Sequence, residues 1–84
     1  MGKVALILRV MPKSPDIDLA KVKQAIQERV KVEDIREEPI GFGLKALKLA
    51  VIVEDEAGAA ERVEVSLQDI IGVERVETIE ATLT

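Results

Sequence analysis

The sequence predicts an α+β fold in which one four-stranded antiparallel sheet carries two helices on a single face. Three observations predict it. Apolar residues alternate with others in four stretches and recur at steps of three and four in two more. Those stretches follow the order strand, helix, strand, strand, helix, strand. And 84 residues, 48% of them apolar, supply one aliphatic core but not two, so residues 1–84 are expected to form a single domain.

Residues 3–11 alternate as a strand, with Val4, Leu6, Leu8 and Val10 on one face and Ala5, Ile7 and Arg9 on the other. Pro12 ends it. Ser14 is the expected cap of the first helix, with Pro15 in its first position and Asp16 and Asp18 near the positive end of its dipole. Leu19, Val22, Ile26 and Val30 make the helix's apolar stripe. Residues 32–39 read as a charged second strand carrying Pro39, and residues 40–44, Ile-Gly-Phe-Gly-Leu, as a connecting loop. In the third strand, residues 45–53, Leu47, Leu49, Val51 and Val53 share one face, and Ala46, Lys48, Ala50 and Ile52 the other. The acidic turn at residues 54–56 opens a second helix, with Asp55 as its expected cap and Ala60, Val63, Leu67 and Ile70 as its stripe. Gly72 suits the position just past that helix, and the last strand covers residues 73–82.

The first and third strands are the most apolar and belong in the middle of the sheet. The second and fourth carry dense charge, which protects an edge from unwanted pairing, and Pro39 suits an edge for the same reason. The predicted order is 4-1-3-2, a ferredoxin-like βαββαβ arrangement. Its uncovered face holds Ala5, Ile7, Arg9, Ala46, Lys48, Ala50 and Ile52, and reads either as a partner surface or, more in keeping with scattered apolar groups, as a solvated face.

Composition removes much chemistry. The chain has no His, Cys, Trp or Tyr, and Phe42 is its one aromatic residue. Without His or Cys, no ordinary zinc, copper, haem or iron–sulfur site is expected, nor a Ser–His or Cys–His nucleophile. The carboxylates at Glu37-Glu38, Asp16 and Asp18, and residues 54–56 lack the spacing of a calcium loop; they read as helix-dipole partners and edge-strand charge. Gly41-Phe42-Gly43 is too short for a phosphate-binding loop, and no helix follows it. With no converging polar constellation, neither catalytic residues nor a cofactor are expected.

The net charge of −4 argues against direct nucleic-acid binding, as does the lack of stacking aromatics on the first and third strands. Residues 1–50 hold ten Lys or Arg against seven Asp or Glu, and residues 51–84 hold two against nine, so the two halves offer partners different surfaces. The apolar run from Val4 to Leu8 is too short for a membrane span or a signal sequence. A soluble, cytoplasmic protein is expected.

Two readings of Phe42 stay open on composition alone. The ring folds back over the end of the core, as lone large apolar groups tend to, or it projects as an anchor for another protein. The matching function classes are a protein-docking module and a ligand-sensing or oligomerising domain. The first leaves Phe42 exposed; the second buries it and carries a concave pocket.

Residues 37–47, Glu-Glu-Pro-Ile-Gly-Phe-Gly-Leu-Lys-Ala-Leu, and the entry Met-Pro-x-Ser-Pro-Asp at residues 11–16 resemble the guanine-nucleotide exchange domain of elongation factor 1-beta, the entry in its archaeal form. The likeness covers nearly the whole chain. It implies a ferredoxin-like domain that promotes GDP/GTP exchange on the GTPase elongation factor 1-alpha during translation elongation. It also implies that Phe42 contacts the GTPase, with Gly41, Gly43 and Lys45 matching the flanking positions. There is one departure. Eukaryotic members carry a lysine near the C-terminus that intrudes at the magnesium and phosphate site, whereas here no lysine follows Lys48 and the last cation is Arg75. That intrusion is not expected of this chain, and in the predicted fold residue 84 and the Phe42 loop lie at opposite ends of the sheet.

Overall fold

The computed structural model describes residues 2–84. Its elements are β1 (Lys3–Pro12), α1 (Leu19–Arg29), β2 (Val32–Gly41), β3 (Leu44–Glu54), α2 (Ala59–Gln68) and β4 (Val73–Leu83). The strands make one antiparallel sheet in the order β2-β3-β1-β4, the predicted order read from the other edge. The two charged strands stand at its edges.

Strand alternation sorts the side chains as their period of two requires. Leu6, Leu8 and Val10 of β1 and Leu47, Leu49 and Val51 of β3 are at most 1% exposed. Val22 and Ile26 of α1 and Val63 and Leu67 of α2 close over them from the same side. The core is wholly aliphatic and does not include the one aromatic ring.

The other face of the sheet has no covering layer, yet Ala46 there is completely buried. Charged side chains run across that face. Arg9 of β1 reaches across β3 to Glu38 of β2, at 3.0 Å, and sideways to Glu77 of β4, at 3.5 Å. Arg75 joins Glu77 at 3.1 Å.

Both helix entries differ from the sequence expectation. Ser14 does not cap α1. Residues 14–17 form a separate turn, with the Ile17 N–H donating to the Ser14 carbonyl at 3.3 Å. The cap is Asp18, whose Oδ1 accepts from the Ala20 N–H at 3.0 Å, directly before the first residue of the apolar stripe. Asp55 does not cap α2 either. Its N–H donates to the Gly2 carbonyl at 3.0 Å, which continues the β1–β3 pairing past Glu54. The helix starts after Gly58 with no side-chain cap, while Arg62 pairs with Glu56 in the preceding loop. At the other end α2 stops at Gln68, so Gly72 lies in the turn to β4 rather than just past the helix.

Antiparallel pairing decides which loops are neighbours. Val10 lies opposite Leu47 and Pro12 opposite Val73. The β2–β3 hairpin, the β1–α1 loop and the α2–β4 turn therefore gather at one end of the sheet. Val4 faces both Val53 and Leu83 at the other end. No helix among the described residues is long and apolar enough to cross a membrane.

Candidate partner-binding site

The β2–β3 connection is tighter than the five-residue loop read from the sequence. β2 runs on through Ile40 to Gly41, and Gly41 pairs with Leu44, so only Phe42 and Gly43 turn the chain. A two-residue hairpin of the type I′ kind needs positive φ at both turn residues, because only then does the turn's twist match that of the strands. Phe42 has φ +54° and Gly43 φ +78°, and Gly41 before them has φ +103°. Glycine takes such angles without steric penalty. Phenylalanine does not; a left-handed L-residue costs about 1–2 kcal/mol.

That cost gains nothing within the fold. The Phe42 side chain is 99% exposed. Of the two readings that composition leaves open, the ring projects. A costly backbone conformation that holds a large apolar group in solvent is a feature to be explained by function rather than by packing.

Lys45 lies at the base of the hairpin. Its odd number places it on the same side of β3 as Leu47 and Leu49, so it faces the helix-bearing side rather than the open one. There its Nζ is 3.7 Å from one oxygen of Glu37, and the Nζ of Lys23, from α1, is 2.8 Å from the other. The Lys23 hydrogen bond and charge, with a lesser effect of the Lys45 charge, hold the Glu37 carboxyl below the usual glutamate range. Adjacent Glu37 and Glu38 face opposite ways, as a strand demands, and Glu38 pairs with Arg9 instead.

Between the hairpin and the β1–α1 loop runs a shallow groove of ≈ 370 Å³, lined by Pro12, Pro15, Ile17, Asp18, Gly43 and Lys45 among others. The structure thus brings Gly41, Phe42, Gly43 and Lys45 to one corner and adds Glu37, Lys23 and Pro15, which sequence reasoning left out. The parity of positions 37 and 45 was a usable signal. Lys23 was not reachable that way, because its place depends on how α1 lies on the sheet.

A ferredoxin-like sheet with a strained, projecting apolar tip has the build of a small docking module. Comparison gives that module a family. Residues 5–83 match the family model of the EF-1 guanine nucleotide exchange domain. The chain is 58% identical over 84 residues to elongation factor 1-beta of Methanoregula boonei, an alignment covering 99% of each chain. It is 55% identical over 85 residues to elongation factor 1-beta of Methanosphaerula palustris, covering 100% of each, and 54% identical over 83 residues to that of Methanoculleus marisnigri, covering 99% of each. The chain belongs to the EF-1 guanine nucleotide exchange domain family and is a guanine-nucleotide exchange factor of translation elongation.

Proposed function

We propose that this exchange factor engages its GTPase, elongation factor 1-alpha, with the hairpin tip. Phe42 is the anchor, Gly41 and Gly43 allow the backbone that presents it, and Lys45 supplies a cation at its base. Residues 1–84 act as a single domain, in the cytoplasm. The exposure of Phe42 carries the reading, since a ligand-sensing domain would have used its one ring as packing.

Exchange makes and breaks no covalent bond, so the protein is not an enzyme in the usual sense. It acts by binding the nucleotide-free GTPase more tightly than the nucleotide-bound form; linkage then weakens nucleotide binding by the same factor. A thousandfold faster release requires about 4 kcal/mol at the barrier. Burying one Phe contributes about 1.5–3 kcal/mol. Phe42 alone is therefore not sufficient, and the remainder comes from the surface around it.

The test is stopped-flow release of labelled GDP from the cognate GTPase. Phe42→Ala is expected to fold normally and to slow release sharply. Wild-type acceleration by that variant would remove the anchor role.

A further inference from the structure

The β1–α1 loop, residues 13–18, touches two other loops at once. Its Pro15 Cβ lies 4.0 Å from where a Cβ on Gly43 would stand, and its Ile17 Cγ2 lies 3.1 Å from where one on Gly72 would stand. The loop therefore abuts the β2–β3 hairpin on one side and the α2–β4 turn on the other. Ile17 and Asp18 also line two grooves: the one beneath the hairpin, and a second of ≈ 440 Å³ walled by Val22 and Ala25 of α1 and by Ile70 and Ile71.

Ile71 is out of character with its neighbours. Ile70 is 5% exposed and Val73 3%, but Ile71 is 95% exposed. The turn that holds it there is well tied. The Val73 N–H donates to the Ile70 carbonyl at 3.2 Å, and the Lys13 N–H to the Gly72 carbonyl at 2.9 Å. Gly72, at φ +95°, takes the third position of that turn, where a positive φ is needed. Ile71 takes the second, for which Pro or a polar residue serves at least as well. Nothing in the fold asks for an isoleucine there. Among the described residues, Phe42 and Ile71 are the two most exposed large apolar side chains. They stand at the same end of the sheet, joined by one continuous surface across Ile17 and Asp18.

We infer that Ile71 is a second apolar anchor for the same GTPase, seated beside the groove between α1 and the α2–β4 turn. This rests on the docking of the hairpin tip proposed above, and the occupant follows from the continuity of the two grooves. One anchor fixes a point of contact and leaves rotation about it free. Two anchors astride the 13–18 loop also fix orientation, which an exchange factor needs if it is to deform a particular site on its partner.

The experiment uses the full chain and nucleotide-free elongation factor 1-alpha. It measures complex affinity together with the factor concentration that gives half-maximal GDP release. Ile71→Ser is expected to raise both the dissociation constant and that concentration by about tenfold, the loss of one buried aliphatic side chain. Its melting temperature should not move, and Ile71→Leu should restore most of the affinity. Wild-type affinity for Ile71→Ser while Phe42→Ala binds weakly would overturn this inference and leave the hairpin reading standing. The reverse pattern would remove the hairpin reading and keep Ile71. If sedimentation shows instead that Ile71→Ser dissolves a dimer with exchange unchanged, the groove belongs to a second copy and the inference is overturned.

Discussion

The Arg9 guanidinium lies 3.0 Å from the Glu38 carboxylate although a whole strand separates the two residues. The contact crosses β3 next to Ala46, whose methyl is buried on a face with no covering layer. Only a small side chain leaves room for that crossing. Ala46→Leu should lift Arg9 off β3 and cost about 1–3 kcal/mol, as overpacking usually does. Ala50→Leu, beyond Lys48 on the same face, should cost less than about 0.5 kcal/mol. Urea titration of both variants checks the difference; equal midpoints would mean that Arg9 does not need the gap.

Phe42 sits in a conformation that Asn adopts far more readily, and Asn-Gly is the preferred sequence of a type I′ hairpin. Phe42→Asn should therefore stabilise the fold by about 1 kcal/mol. In a domain of this size that raises the melting temperature by roughly 4–8 °C. The same variant should accelerate GDP release poorly. Gain of stability with loss of exchange would separate the two demands on the residue. Melting no higher than the wild type would show that the backbone there is not strained.

Glu37 makes part of the stability depend on pH. Its carboxyl is held below its ordinary value of 4.5 by Lys23 and, more weakly, by Lys45. A depressed folded value means a contribution that is whole above 4.5 and disappears as the pH falls through the lower folded value. Glu37→Gln should thus be somewhat less stable than the wild type at neutral pH and indistinguishable from it in strong acid. Chemical denaturation across that range tests this. A gap that persists in strong acid would assign the effect to packing.

A methyl group at Gly72 would meet Ile17 Cγ2 at 3.1 Å and would also force a left-handed alanine, since φ there is +95°. Gly72→Ala should cost about 1–3 kcal/mol. Part of that cost comes from crowding by Ile17, so the cost should shrink when Ile17→Ala is already present. A double-mutant cycle reads this directly, and strict additivity would show that backbone strain alone is responsible.

Much of the fold was legible in the sequence because strand alternation is strict. Leu6, Leu8 and Val10 all reach the core, and a register error of one residue would have put every one of them in water. The helix starts were less legible. Ser14 and Asp55 are good cap residues by type, but a cap forms where the chain meets the docked helix, and that point is set by packing. Asp18 won because the stripe begins at Leu19; Asp55 lost because its backbone was taken by Gly2. The site divides in the same way. The glycines around Phe42 permit an unusual backbone, but the exposure of the ring is a balance between core and solvent that composition does not decide. Lys23 meets Glu37 only through the docking of α1 beside β2, and no local pattern encodes that distance.

Three left-handed residues in succession, Gly41, Phe42 and Gly43, leave the hairpin tip little else to do than hold its ring outward. The conformational entropy of ordering that segment is lost once, when the chain folds, and not again when a GTPase arrives. Encounter should then resemble the meeting of two rigid bodies, with an association rate on the order of 10⁵–10⁷ M⁻¹s⁻¹ that depends little on substitutions at the tip. Changes at Phe42 would be felt in how long the complex lasts. An exchange factor must let go as readily as it takes hold, and with the hairpin docked as proposed above, the lifetime of the complex, and with it the turnover of the GTPase, would be adjustable at the exposed face of the Phe42 ring.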